Sequence, residues 1–308
     1  MKKNFNYLLL ITMFAILVSS CTKDDEIIVN PTFDEYVKAN SNLTMFAAAV
    51  EKAGLKDFTT GPGPFTWFAP TNAGFAAAGI TTDSLNKLSP SALSYLLMYH
   101  LVNANYRSMD MIAVSSISRT TQMGAAVFSG SFNNNYYVNG AQITTVDANL
   151  NNGTIHVVER FLTPPQLRGN IIAILNSTGQ HTLFLAALTR AGLNTTLAST
   201  SIFTVMAPTD AAMTAAGLTS TAIAAAPVAT LAARLRYHYF LNTRLFTNDF
   251  AADPNTISTA AGASTSLTAS ENGTKIKGKN NPTFFNITRS DILGTNGVVH
   301  IIDGVLTP

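Results

Sequence analysis

The sequence predicts a mixed helix-and-strand fold built twice in tandem, and three observations predict it. Motifs in one half of the chain return in the other at a nearly constant offset. The front of each copy carries apolar residues at helical spacing. Its final third is rich in Thr, Asn and Ser, with apolar residues alternating as strands and turns require.

The first element is a leader. Lys2 and Lys3 precede an apolar stretch, residues 7–18, which fits the ~7–15-residue core of a signal peptide. The stretch ends in Leu17-Val18-Ser19-Ser20-Cys21, and Cys21 is the one cysteine of the 308 residues. This resembles a lipobox, in which the cysteine is diacylated and becomes the new N-terminus; two acyl chains hold a protein on a membrane where one does so marginally. A transmembrane anchor or an ordinary secretory signal are the alternatives. Residues 1–20 are therefore expected as a lipoprotein signal and 21–30 as an acidic tether. Thr22-Lys23-Asp24-Asp25-Glu26 is similar to the surface-export signal of some Gram-negative lipoproteins, and equally reads as a solvated spacer. Without Lys2 and Lys3, 17 basic residues face 17 acidic ones, which gives no electrostatic footprint for nucleic acid. Hydrophobic residues at 47% and charged residues at 12% exclude intrinsic disorder.

The rest of the chain is one unit written twice. Ala53-Gly54-Leu55 recurs as Ala191-Gly192-Leu193, Ala69-Pro70-Thr71 as Ala207-Pro208-Thr209 and Tyr99-His100 as Tyr237-His238, each 138 residues on. Asn152-Gly153-Thr154-Ile155-His156 matches Asn296-Gly297-Val298-Val299-His300 at an offset of 144. Both copies close on Leu-Thr-Pro, which sets domains at 31–165 and 166–308 with no further module expected after them. The first helix of each copy is predicted by Phe46, Ala49, Val50 and Ala53, and by Phe184, Ala187, Leu188 and Ala191. Gly54 and Gly192 are placed to end these helices. Phe65-Thr66-Trp67-Phe68 and Phe203-Thr204-Val205-Met206 read as short strands broken by proline. Asn72 and Asp210 are expected to cap the Ala-rich helices that follow and stop at Gly79 and Gly217. Ser89-Pro90 opens a longer helix that runs into Tyr99-His100.

In their order, these signatures resemble those of the fasciclin domain: the Phe-Thr…Ala-Pro-Thr run through Asn72 and Asp210, the Tyr-His pair, and residues 152–164 and 296–308. Resemblance implies an α+β fold, two tandem modules, each a β-sandwich-like wedge with packed helices. It also implies adhesion and matrix binding rather than catalysis. In animal relatives adhesion is assigned to an Asp-Ile pair and to the Tyr-His region, which correspond here to Asp291, Ile292 and Leu293 and to Tyr99, His100, Tyr237 and His238. Thr71, Asn72, Thr209, Asp210, His156 and His300 belong to the structural signature. The copies also depart from each other. Glu159-Arg160 stands where the second copy has Asp303-Gly304, Met213 replaces the aromatic Phe75, and the Val138-Asn139-Gly140 turn has no clear counterpart.

Residues that invite a chemical reading are few. Leu93, Leu96, Leu97, His100 and Leu101 share a helical face, which makes His100 a core histidine, while Tyr99 and Tyr237 lie one step round with hydroxyls expected to be partly exposed. Two histidines per copy fall short of a zinc site, so no metal and no cofactor are expected. Residues 273–279 spell a near phosphate-binding loop, but Asn280 replaces the magnesium-ligating Ser/Thr and no hydrophobic strand precedes it. Lys275, Ile276 and Lys277 alternate instead as an edge strand would. The functional expectation is a non-enzymatic outer-membrane lipoprotein at the cell surface that recognises an extracellular protein or glycan. The alternatives are a periplasm-facing component of an envelope complex, an accessory subunit of a glycan-uptake system, and a polysaccharide-active enzyme.

Overall fold

The computed structural model describes residues 29–112, 116–250, 256–269 and 274–308; Lys2, Lys3, the 7–18 stretch, Cys21, the Thr22-to-Glu26 run and Gly273 lie outside them. Both repeats fall within one compact unit, Pro31–Pro308. No helix among the described residues is long and apolar enough to cross a membrane.

In the first repeat, helices α1 (Phe33–Ala39), α2 (Thr44–Lys52), α3 (Lys56–Thr60), α4 (Asn72–Ala77), α5 (Thr82–Lys87) and α6 (Pro90–Leu97) accompany seven strands. The strands are β1 (Phe65–Pro70), β2 (Leu101–Val102), β3 (Ile117–Thr120), β4 (Ala126–Phe132), β5 (Asn135–Val138), β6 (Ala141–Leu150) and β7 (Gly153–Val158). The second repeat follows with α7 (Ile171–Thr178), α8 (Thr182–Arg190), α9 (Asn194–Ala198), α10 (Asp210–Ala215), α11 (Ser220–Ala225) and α12 (Val228–Arg236). Its strands are β8 (Phe203–Pro208), β9 (Tyr239–Leu241), β10 (Thr256–Thr259), β11 (Gly262–Ala269), β12 (Lys275–Gly278), β13 (Phe285–Gly294) and β14 (Gly297–Ile302). The sheet orders, β2-β1-β7-β6-β5-β4-β3 and β10-β11-β12-β13-β14-β8-β9, are the same topology.

β1 and β7 pair in parallel, Phe65↔Gly153 through Pro70↔Val158, and β8 and β14 repeat the pairing from Phe203↔Gly297 to Ile302↔Pro208. Parallel strands are covered on both faces, and every residue of β1 and of β8 is buried. Phe65, Trp67 and Ala69 face the helices, where Phe33, Phe46 and Trp67 meet with ring centroids 5.3–5.9 Å apart. Phe68 and Val158 look the other way, into a second core shared with Val127, Val138 and Ile143 of the outer strands. The sheet thus closes over itself as a wedge. Irregular register in β6 and β13, around Asp147 and Asp291, supplies the bend. Close approach explains the Asn-Gly of each closing signature: a Cβ on Gly153 or Gly297 would lie 1.9 Å from the carbonyl oxygen of Phe65 or Phe203.

Two sequence expectations need correction, and one helix goes unpredicted. The caps of α4 and α10 are Thr71 and Thr209, whose hydroxyls accept from Gly74 N and Ala212 N, not Asn72 and Asp210. Asn72 and Asp210 instead reach across to another helix: Asn72 Oδ1 accepts from Met45 N at the start of α2, and Asp210 Oδ1 accepts from Leu183 N at the start of α8. Those two helices have no side-chain cap of their own. α1, which the apolar spacing does not predict, opens on a capping box between Thr32 and Glu35. Lys275-Ile276-Lys277 lies inside the sheet between β11 and β13, not at an edge. Ser89 and Pro90 do open α6 as cap and first residue, and Gly54 and Gly192 follow α2 and α8 at φ +69° and +71°.

Candidate functional site

The Tyr-His pairs follow α6 and α12 and are buried in both repeats. His100 Nδ1 donates to Leu96 O and its Nε2 accepts from Leu162 N; His238 makes the same two bonds with Arg234 O and Leu306 N. Burial pulls both rings down to about 4, so both are neutral. His156 and His300 use the opposite tautomer, with Nε2 donating to Tyr106 O and Leu245 O and Nδ1 accepting from Asp147 N and Asp291 N. With both nitrogens of all four rings engaged, none has a lone pair for a ligand. The hydroxyls of Tyr99 and Tyr237, expected to be partly exposed, are interior as well. Tyr99 Oη donates to Ala126 O and accepts from Asn139 Nδ2, and Tyr237 Oη accepts from Lys279 N.

Asp291, Ile292 and Leu293 are also buried, with relative exposures of 6%, 4% and 2%. The reason is the bulge. Asp291 sits at φ +59° and its counterpart Asp147 at +56°, a region that Asp tolerates better than most residues. Each carboxylate then accepts from the amide and hydroxyl of one residue, Thr247 or Ser108, at the start of a 3₁₀ turn. Ile292 joins the helix-side core, and Leu293 packs with Phe246 and Val298. These three side chains are therefore scaffold, and the surface they serve is the seam between the repeats.

That seam is specific. Arg160 Nη2 of the first repeat donates to Asp291 Oδ2 at 3.1 Å and to Gly140 O. Phe128 packs near Phe246 with centroids 5.9 Å apart, and the Arg244 guanidinium lies 5.0 Å over the Phe128 ring. Ser116 Oγ donates to Asp249. Burial, with Asp291 nearby, pushes Asp249 up to about 6 against the amide and hydroxyl bonds that favour its charge. Sequence reasoning singled out Arg160 and Asn139-Gly140 as departures between the copies without assigning them a place, and both lie here. Beside the ion pair a cavity of about 350 Å³ opens, lined from both repeats by Asn139, Arg160, Thr163, Arg168, Arg289 and Asp291, among others. Arg168 and Arg289 gave no signal in the sequence. Among the described residues no cluster of three metal-ligating side chains occurs.

Both repeats resemble known proteins. The fasciclin domain family model matches residues 41–164 and 179–308. Human periostin is 32% identical over 148 residues, 46% of this chain and 17% of that protein. Protein sll1483 of Synechocystis is 32% identical over 136 residues, 44% of this chain and 74% of that protein. The rabbit transforming growth factor-beta-induced protein ig-h3 is 26% identical over 283 residues, 88% of this chain and 38% of that protein. The chain thus spans only a minor part of the two animal relatives. A solved domain pair from the insect cell adhesion molecule fasciclin I covers 88% of this chain and is itself covered to 98%, at 18% identity with a TM-score of 0.43. With the family model matching most of the sequence in two successive copies, the chain belongs to the fasciclin domain family.

Proposed function

We propose that the protein is a non-enzymatic binding protein of a Gram-negative envelope, anchored by lipid on Cys21, whose paired fasciclin modules recognise a protein or glycan at the cell surface. The observation that carries this reading is the pairing itself. Two modules of one adhesion-associated family are joined by a seam of charge, aromatic and hydroxyl contacts, which presents them as one unit and not as beads on a string. Fixing two modules in one arrangement lowers the ordering cost of binding an extended partner. The residues that resemblance points to stand behind this surface as its support, so recognition falls to the loops and strand faces around the seam.

Protease treatment of intact cells, comparing wild type with Cys21→Ala, tests the proposal. Surface display predicts that protease removes the wild-type protein from intact cells and that the variant is released into the medium. Protection until the outer membrane is broken would rule out adhesion to foreign surfaces and favour a periplasm-facing partner in an envelope complex.

A further inference from the structure

We propose that the cavity between the repeats is an oxyanion site, taking a carboxylate, sulfate or phosphate group carried on a ligand of sugar size. Its volume, about 350 Å³, lies at the lower end of the range for small-molecule pockets, ~300–1,000 Å³. Arg160, Arg168 and Arg289 line it, and among the described residues Asp291 is its only acidic lining residue. That carboxylate is already committed. It accepts from Thr247 N, Thr247 Oγ1 and Ser290 Oγ at 2.8 Å each and from Arg160 at 3.1 Å.

Arg168 and Arg289 are in the opposite condition. Among the described residues neither guanidinium has a hydrogen-bond or ion-pair partner, although Arg168 is half-buried. Burial, with Arg289 and Arg160 nearby, pulls Arg168 down to about 10. Gathering cations round a cavity in which Arg168 is half-buried and Arg289 exposed costs free energy, and an entering anion offsets it. The fold itself does not ask for these arginines. The register places Thr145 of the first repeat where the second has Arg289, and Gly304 of the second where the first has Arg160, and the same sheet forms in both. Guanidinium forks match the planar geometry of carboxylate and the oxygens of sulfate.

Calorimetric titration of the purified full chain at fixed ionic strength, with glucuronate, inorganic sulfate, inorganic phosphate and glucose as probes, tests the inference. Saturable binding of at least one oxyanion, no binding of glucose, and weakening by about tenfold or more in both Arg168→Gln and Arg289→Gln are expected. These variants lose no hydrogen bond or ion pair within the protein, so their melting temperature without ligand should stay level or rise. An exposed control, Lys87→Gln, should bind as wild type does. Binding of glucuronate without the inorganic ions identifies a sugar carboxylate as the ligand chemistry; binding of the inorganic ions alone identifies a sulfate or phosphate ester. The inference is overturned if no oxyanion binds, if glucose binds equally well, or if the arginine variants bind like wild type. None of these outcomes depends on where the protein sits in the envelope, so this result and the protease result can fail separately.

Discussion

Position 160 of the first repeat and position 304 of the second occupy the same place after the last strand, yet one is arginine and the other glycine. The difference follows from what each must accommodate. Gly304 lies against the Phe285 ring, which a Cβ would meet at 2.0 Å, while the first repeat has Ala141 at the matching position. The room left by that smaller residue is where Arg160 turns toward Gly140 and Asp291. Likewise the tight Asn139-Gly140 turn, with both residues at positive φ, fits against Asp291, whereas the second repeat uses the longer stretch 279–284 and fixes it through Asn281. Places where the copies agree hold each module together, with Asp291 serving the seam as well; Arg160 and the Asn139-Gly140 turn, where the copies disagree, face that aspartate across the seam.

Agreeing residues that serve only their own module should respond alike in both repeats, and acid is the strongest test. The folded rings of His100 and His238 titrate near 4, below the ordinary histidine value of 6.5. Between those pH values the unfolded chain binds more protons, so stability is full above about pH 6.5 and is lost as pH falls. Each ring is expected to cost about 3 kcal/mol by pH 4. Asp249, raised to about 6, acts in the opposite sense, since the folded state then holds the extra proton and stability falls as pH rises from about 4 to 6. Denaturant titrations across pH 4–7 should show net acid destabilisation, reduced to a similar extent in His100→Gln and His238→Gln. Unequal reductions would break the equivalence of the copies.

Next in size come the bulge aspartates. Asp147→Ala removes only the Ser108 contacts within its own repeat, and about 1–2 kcal/mol is expected. Asp291→Ala also removes the link to Arg160, so about 3 kcal/mol is expected, with Arg160→Met recovering the difference in a double-mutant cycle. Equal costs at the two aspartates would mean that the ion pair contributes nothing to the seam.

The smallest contrast concerns two glycines of similar backbone angle. Gly79 at φ +72° has open space where a methyl group would stand, whereas at Gly140, φ +73°, the methyl would lie 2.3 Å from the Asp291 carboxyl carbon. Gly79→Ala is expected to cost about 1 kcal/mol for the left-handed backbone alone. Gly140→Ala should cost more than that and should separate the melting of the two repeats in calorimetry, where Gly79→Ala leaves one transition.

Much of each module is legible in the sequence because its signals are local. The Phe46 and Phe184 stripes, the helix-ending Gly54 and Gly192, and the Ser89-Pro90 start each depend on a few neighbouring residues. Helix α1 is equally local, in Thr32 and Glu35, but its apolar spacing from Phe33 to Val37 is too short to stand out. Asn72 and Asp210 mislead because a cap reads the same whether it serves its own helix or another. The Asp291-Ile292-Leu293 segment misleads for a different reason: resemblance singles it out without regard to burial, and here Ile292 and Leu293 enter cores on opposite faces while the bulge turns Asp291 inward as well. Arg168 and Arg289 have no local signal at all, since they lie far apart in the sequence and only the folded second repeat brings them to the seam.

The parallel pairing has one more consequence, for the way the chain is made. β1 waits for β7, 88 positions later, and β8 waits for β14, 94 positions later. At about 5–20 residues per second on the ribosome, each wait lasts several seconds. During it Phe65, Trp67 and Phe68, or Phe203, Val205 and Met206, have no strand to bury them on one side. Nascent chains of this protein should therefore be clients of holding chaperones twice, once per repeat, and the first module should be released while the second is still being held.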